Sequence, residues 1–304
     1  MRALVVTNMW PSPERPPLGV FVRDQVDALR RLEGVEVEVF SFPPGGYARA
    51  ARDIRARHRD GGHDVVHAHF GLTAWVALAL GGPAPRVVTL HGNDIRHPRS
   101  RRITHAVLGR MDLVAAVSEE LAAAVPGRHD VRVLPCGVDT HRFHPIDRTQ
   151  AREQLGLPPD EPCLLFPADP ARAVKRHDRA IEVADGARLL SLGQVEPALV
   201  PLWFNAANAV VLPTDFEGFG IAVLEALACD VPVLTTPVGN HPAALEGIAG
   251  TLCASYDLEE WRALAAAHLA APDPRVAGRA RAEHWSADRM AAQVVAAWTE
   301  LLAG

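Results

Sequence analysis

Ala209-Val-Val-Leu-Pro-Thr-Asp-Phe-Glu-Gly-Phe-Gly-Ile-Ala-Val-Leu-Glu-Ala-Leu-Ala228 reads as a strand, a tight turn and a helix in direct succession. The run Ala209–Leu212 is apolar at every position, the pattern of a parallel strand buried on both faces. Gly218 and Gly220 flank Phe219 in the turn, and from Ile221 onward apolar residues recur at helical spacing. A strand feeding a helix N-terminus through a glycine turn is an anion site, because the first helical N–H groups lack partners and the helix dipole favours negative charge there. Glu217 precedes the helix and Glu225 lies about two turns into it, so the two carboxylates are expected to hold different parts of one extended ligand rather than one metal ion. A carboxylate on either side of a phosphate cradle points to a sugar nucleotide, one acid for the ribose and one for the sugar. The plain alternative is that both glutamates are dipole partners and surface charge.

Working outward, the first half alternates Val/Leu-rich runs with amphipathic ones. Strands are expected at Leu4–Thr7, Val35–Phe40, Val65–Ala68, Val87–Leu90, Leu113–Ala116 and Val131–Leu134. Helices are expected at Phe21–Arg31, Tyr47–Arg59, Thr73–Leu80 and Ser118–Val125. The simplest architecture is α/β, a doubly wound parallel sheet with ligands at the carboxyl ends of its strands. A polar, Pro-rich stretch from Pro145 to Pro162 with a short helix near Thr149–Leu155 marks a hinge. A second βα series then runs through Cys163–Phe166, Arg188–Leu192, Ala209–Leu212 and Val233–Thr235, closed by a helix over Ala287–Leu302. The expected division is 1–147, 148–286 and a terminal helix 287–304.

With 304 residues, 48% of them hydrophobic, and a net charge of −5, the chain can bury the cores of two domains and lacks the basic excess of a nucleic-acid binder. Cys136, Cys163, Cys229 and Cys253 are scattered without disulfide or metal-ligand spacing, which suits a reducing, cytoplasmic setting. The N-terminus enters a strand pattern without a signal peptide, and no apolar run reaches membrane-spanning length.

Several ordered segments resemble the retaining glycosyltransferases of family four, which have the GT-B fold. They are Val65-Val-His-Ala-His-Phe-Gly71, Val87-Val-Thr-Leu-His-Gly92, Leu113-Val-Ala-Ala-Val-Ser-Glu119, Val133-Leu-Pro-Cys-Gly-Val-Asp139 with Arg142, Phe143 and Pro145, Ala206-Ala-Asn-Ala-Val-Val-Leu-Pro213, Glu217 to Glu225, and Val233-Leu-Thr-Thr-Pro-Val-Gly239. The resemblance implies two Rossmann-like doubly wound domains facing a cleft, the C-terminal helix crossing back to the first. It also implies transfer of a sugar from a nucleoside diphosphate sugar to an acceptor hydroxyl with retention, without a metal and with no cofactor beyond that co-substrate.

On the donor side the resemblance assigns Glu217 to the sugar hydroxyls and Glu225 to the ribose, with Gly218, Phe219, Gly220 and Ile221 along the turn. Relatives carry Gly-Arg and a later Lys in the loop after the strand Cys163–Phe166. Here Asp169 and Pro170 stand in the Gly-Arg place, so Lys175 is the diphosphate lysine and Arg172 or Arg176 the substitute arginine. The segment from Asp178 to Val200 is shorter than the family's βαβ unit, and within it Gly193 and Val195 match residues beside the base. A solvated basic loop is the alternative for Arg172 and Lys175.

On the acceptor side, His91 matches the family's histidine near the transferred sugar, with Asn93 beside it. Gly19 is what remains of a first glycine turn. His67 and His69 are expected on opposite faces of their strand, His69 bordering the acceptor, although packed core histidines are an equal reading. Metal binding by these histidines is not expected. The run Arg96-His-Pro-Arg-Ser-Arg-Arg102 reads as a solvated loop and a candidate peripheral contact with the inner membrane face. The acceptor, whether glycan, lipid or small molecule, is not specified. Rival readings are a GT-B nucleotide-binding protein with weakened or lost catalysis, favoured by Asp169-Pro170 and the short donor domain, and a nucleotide-sugar epimerase or phosphorylase on the same fold. A dinucleotide oxidoreductase is disfavoured by the lack of a G-x-G-x-x-G turn.

Overall fold

The computed structural model describes residues 1–59, 61–127 and 130–304. The chain forms two compact units, one of Met1–Gly137 with Ala287–Gly304 and one of Val138–Ser286.

The first unit runs β1 (Arg2–Thr7), α1 (Val20–Arg30), β2 (Glu36–Ser41), α2 (Tyr47–His58), β3 (Val65–His69), α3 (Ala74–Ala79), β4 (Arg86–Leu90), α4 (Asn93–Arg96), α5 (Pro98–Leu108), β5 (Leu113–Ala116), α6 (Glu119–Ala123) and β6 (Arg132–Val133). Its sheet has the order β2-β1-β3-β4-β5-β6, every pair parallel. The order reverses direction between β1 and β3, so the carboxyl ends of those strands and of β4 border the topological switch where α/β sheets bind ligands. The basic run at Arg96–Arg102 is helical rather than loop. Pro98 occupies the first turn of α5, where its missing N–H costs nothing, and only Thr104, Val107 and Leu108 of that helix are buried.

The second unit runs α7 (Arg148–Leu155), β7 (Cys163–Phe166), a 3₁₀ turn at Ala173–Lys175, α8 (His177–Ala184), β8 (Arg188–Ser191), α9 (Val200–Ala206), β9 (Ala209–Leu212), α10 (Ile221–Ala228), β10 (Val233–Thr235), α11 (His241–Leu245), β11 (Leu252–Cys253), α12 (Leu258–Ala270) and α13 (Arg279–Glu283). Its parallel sheet has the order β11-β10-β9-β7-β8. The division falls at Gly137/Val138 rather than after residue 147, because half-buried arginines of the second unit hold the intervening segment. Arg279 donates to the carbonyls of Thr140 and Phe143, and Arg275 to that of Ile146.

α14 (Ala287–Ala303) belongs to the first unit. Its Met290, Ala291, Val294, Ala297 and Trp298 share one buried cluster with Val22, Val26 and Leu29 of α1, and Arg31 pairs with Asp288 at 2.6 Å. Among the described residues no helix is long and apolar enough to cross a membrane.

Candidate functional site

In the second unit, three loops meet at the carboxyl ends of β7, β9 and β10. The loop after β7 contains Asp169, whose carboxylate accepts the Ala171 N–H at 2.9 Å and whose carbonyl accepts the Arg172 N–H. Its carbonyl at Val174 accepts both the Thr214 hydroxyl at 3.1 Å and the Asp215 N–H at 2.9 Å, which binds it to the loop after β9. That docking brings the Lys175 ammonium onto the Glu217 carboxylate in an ion pair whose side chains are 10% and 11% exposed. Burial lowers the Lys175 pKa, opposed by Glu217, and Arg172 adds like-charge repulsion. Arg176 already pairs with Asp178 at 2.7 Å and Asp215 at 3.4 Å, and its backbone is left-handed at φ 56°. Of the two arginines, exposed Arg172 is therefore the one that faces Lys175 without being tied to that acidic pair.

The glycine turn is shaped by the third loop. Gly220, the N-cap of α10, has φ 98°, and a Cβ there would lie 2.2 Å from His241 Nε2. Gly239 has φ 56°, and its Cβ would meet the Phe219 carbonyl at 2.7 Å. The Asn240 N–H donates to that same carbonyl at 2.8 Å. His241 is fully buried. Its Nδ1 faces the Thr236 carbonyl at 3.0 Å and the Thr235 hydroxyl oxygen at 2.9 Å, and the Thr235 proton is already donated to the Leu212 carbonyl. Both neighbours can only accept, so Nδ1 carries the proton and Nε2, buried without a partner, carries the lone pair toward Gly220. Burial lowers the His241 pKa against the pull of Glu217. Phe219 is buried, while Gly218, Ile221 and Glu225 are half-buried along the turn and helix. Gly193, with φ 39°, and Val195 follow β8; the Gly193 N–H donates to Ala168 O, which places them beside the loop after β7.

In the first unit the corresponding strand ends carry histidines. His67 and His69 stack on one face with centroids 4.6 Å apart and planes at 21°. This corrects the opposite-face expectation: residues two apart on a strand point the same way. His69 in turn stacks on His91 at 5.3 Å, with His69 Nδ1 3.1 Å from His91 Nε2. His67 Nε2 bonds the Thr89 hydroxyl at 2.7 Å, and Trp298 of α14 packs edge-on against the His67 ring. Burial holds all three imidazoles neutral, with His69 down at about 3 and His67 and His91 well below their usual range. His69 Nε2 is buried without a partner. An unpaired buried N–H is the rarer arrangement, so the shared proton belongs on His69 Nδ1. His91 then accepts at Nε2 and keeps its own proton on Nδ1, the nitrogen left for a ligand.

Asp94 holds this loop. Its fully buried carboxylate accepts the N–H groups of Gly92 at 2.8 Å, His91 at 3.0 Å and Gly71 at 3.3 Å, while burial raises its pKa. Phe21 of α1 packs on the His91 ring at 4.9 Å. Gly19, the N-cap of α1, has φ 72°, and a Cβ would lie 2.2 Å from the Met9 carbonyl oxygen, so only glycine fits. Asn93 is exposed at the start of α4. Asp94 and His241 were not singled out from the sequence; each sits within three residues of a quoted motif, but their roles come from burial.

Residues 5–142 match the model of Glycosyltransferase Family 4, and residues 167–271 that of Glycosyl transferases group 1. The chain is 31% identical to a D-inositol 3-phosphate glycosyltransferase of Mycobacterium avium over 330 aligned positions, covering 90% of this chain and 76% of that one. It is 29% identical to an Actinosynnema mirum protein of the same name over 361 positions, covering 94% and 85%. Both alignments are longer than this chain, so these relatives carry residues that it lacks. Among solved structures, sucrose-phosphate synthase from Thermosynechococcus elongatus superposes with a TM-score of 0.74 at 19% identity over 100% of both chains. Anabaena HepE in complex with UDP and glucose does so with a TM-score of 0.74 at 17% identity over 97% and 99%. These two likenesses carry the fold alone.

Proposed function

The chain belongs to the GT-B glycosyltransferases of family four, and from that premise we propose that its second unit binds a nucleoside diphosphate sugar whose sugar is transferred, with retention and without a metal, to an acceptor hydroxyl. The observation that carries this reading is the buried Lys175–Glu217 pair at the edge of the Gly218–Gly220 turn. The relatives' names supply the transferase chemistry, and the HepE complex, a protein of the same fold, holds UDP and glucose.

As the glycosidic bond breaks, negative charge collects on the departing diphosphate. Lys175, Arg172 and the backbone amides around Gly218–Gly220 stabilise it, a preorganised electrostatic field that needs no ion. Glu217 accepts hydrogen bonds from the sugar hydroxyls and Glu225 from the ribose, with Gly193 and Val195 beside the base. In the first unit His91, neutral with its proton on Nδ1, donates a hydrogen bond to a substrate hydroxyl instead of acting as a base. Retention follows if the acceptor attacks from the face the diphosphate leaves, with the acceptor proton passing to a diphosphate oxygen. The acceptor is a glycan, a lipid or a small molecule, and D-inositol 3-phosphate, named in the relatives, is the first to assay.

The test is transfer from UDP-, GDP-, ADP- and dTDP-sugars with and without EDTA, with the product anomer read by NMR. An inverted product, or activity abolished by EDTA, would overturn the corresponding part of the proposal. A second reading, nucleotide binding without transfer, draws on Asp169-Pro170, which stands where the family carries Gly-Arg and so leaves that place without a cation. Nucleotide binding with no turnover for any acceptor or water would favour it.

A further inference from the structure

A second cluster lies in the first unit, away from the residues assigned above. Glu38 projects from β2, the edge strand, and two strands separate β2 from β4. His58 ends α2, and His63 lies in the link to β3. Their ligand atoms all lie within 4.8 Å of one another. Glu38 Oε2 is 2.9 Å from His63 Nε2, and Oε1 is 3.6 Å from His58 Nδ1. We propose that Glu38, His58 and His63 form a Zn2+ site with water completing the shell, clamping the edge strand to the end of α2 and to the chain entering β3.

The geometry suits one small ion better than it suits hydrogen bonds alone. Donors of a tetrahedral Zn2+ at about 2.0–2.1 Å sit roughly 3.3 Å apart. Glu38 turns a different oxygen to each imidazole, Oε2 at 2.9 Å and Oε1 at 3.6 Å, distances on either side of that spacing. The longer one is outside hydrogen-bond range, so His58 Nδ1 faces the carboxylate without bonding to it. With all ligand atoms within 4.8 Å, the set closes on one ion by a small side-chain shift. The two rings lie 5.5 Å apart at 62°, close to the roughly 5 Å expected of imidazoles radiating from a shared ion. The imidazole side chains are 8% and 5% exposed and the carboxylate 52%, which leaves entry from the solvent side. Phe40 packs edge-on against His58 and fixes its ring. Two imidazoles and one carboxylate form a nitrogen-rich set that favours zinc over calcium or magnesium. The competing arrangement is the Glu38–His63 hydrogen bond alone, with Arg2 contributing to the field at the carboxylate.

The experiment uses the full untagged chain, stripped with chelator and dialysed. Calorimetry with ZnCl2 should give one ion per chain, and saturating Zn2+ should raise Tm by about 5 °C, because an ion that binds only the folded state stabilises it by mass action. Co2+ in its place should give the intense visible bands of a tetrahedral site. His63→Ala and Glu38→Gln should each abolish the Tm response; Glu38 is half-exposed, so the second variant is expected to fold even if the first does not. Failure of the wild type to bind Zn2+, or an unchanged response in Glu38→Gln and His63→Ala, would overturn the assignment. No residue of the transfer site is involved, so the result is independent of the proposed reaction.

Discussion

The Lys175 ammonium donates to the Glu217 carboxylate, and both side chains are about nine-tenths buried. This pair joins the loops after β7 and β9, and it couples the group proposed for the diphosphate to the group proposed for the sugar. A charge left alone in such a place is costly, about 3–5 kcal/mol for a broken buried pair.

Lys175→Met should therefore lower stability by that order, and the double variant Lys175→Met/Glu217→Gln should recover most of it. Transfer should not recover. We expect kcat to stay about 100- to 1,000-fold down in both, the scale of losing one preorganised transition-state contact. Denaturant melts and initial rates on the same preparations separate the two effects, and recovery of turnover in the double variant would remove Lys175 and Glu217 from the reaction.

Gly220→Ala introduces a methyl 2.2 Å from His241 Nε2 at a backbone φ of 98°. We expect a loss of about 1–3 kcal/mol together with weakened nucleotide binding. Adding His241→Ala removes the collision but not the backbone strain, so the double variant should regain part of the stability. A strictly additive pair would show that the two residues do not meet.

His69 supplies the proton that His91 Nε2 accepts at 3.1 Å. His69→Asn can place an amide N–H near the same point, whereas His69→Ala cannot. Activity should fall in the alanine variant and be partly restored by asparagine. In the wild type kcat/KM should show no limb near pH 6.5 from His91, because burial and its neighbour keep that ring neutral well below this pH. A limb there that disappears in His91→Gln would contradict the tautomer assigned here.

Stability should fall on acidification. Burial holds His69 at about 3, whereas in the unfolded chain it titrates near 6.5. Between those values the unfolded state binds more protons, so the contribution of this group is complete above pH 6.5 and is lost as pH falls toward 3. By pH 5 His69 alone should remove about 2 kcal/mol, and His67, His91 and His241, lowered in the same direction, add to it. Asp94, whose pKa is raised by burial, works with the opposite sign at the acid end. Urea melts at pH 7 and 5 measure the difference, and His69→Gln should reduce the slope.

Much of the fold is legible in the sequence. β7, β9 and β10 coincide with their apolar runs because buried parallel strands leave an uninterrupted signal. Glu217, Gly220 and Lys175 announced themselves through a turn and a charge beside it. α5 did not, since four of its residues are Arg or His and three of its eleven are buried, so its arginine face masks the helical period. β11 has only two residues. The unit boundary depends on Arg275 and Arg279 capping carbonyls more than 120 positions away, which no local pattern contains. His241 and Asp94 are polar groups defined by burial, and their partners come from other loops.

The most direct measurement is calorimetric titration of UDP, GDP, ADP and dTDP into the wild type, Glu225→Ala and the stability-compensated Lys175→Met/Glu217→Gln. The expected result is binding of one nucleotide at a single site, sharply weakened in both variants. Absence of binding by all four, or binding that neither variant changes, would contradict a donor site at the Glu217–Glu225 turn.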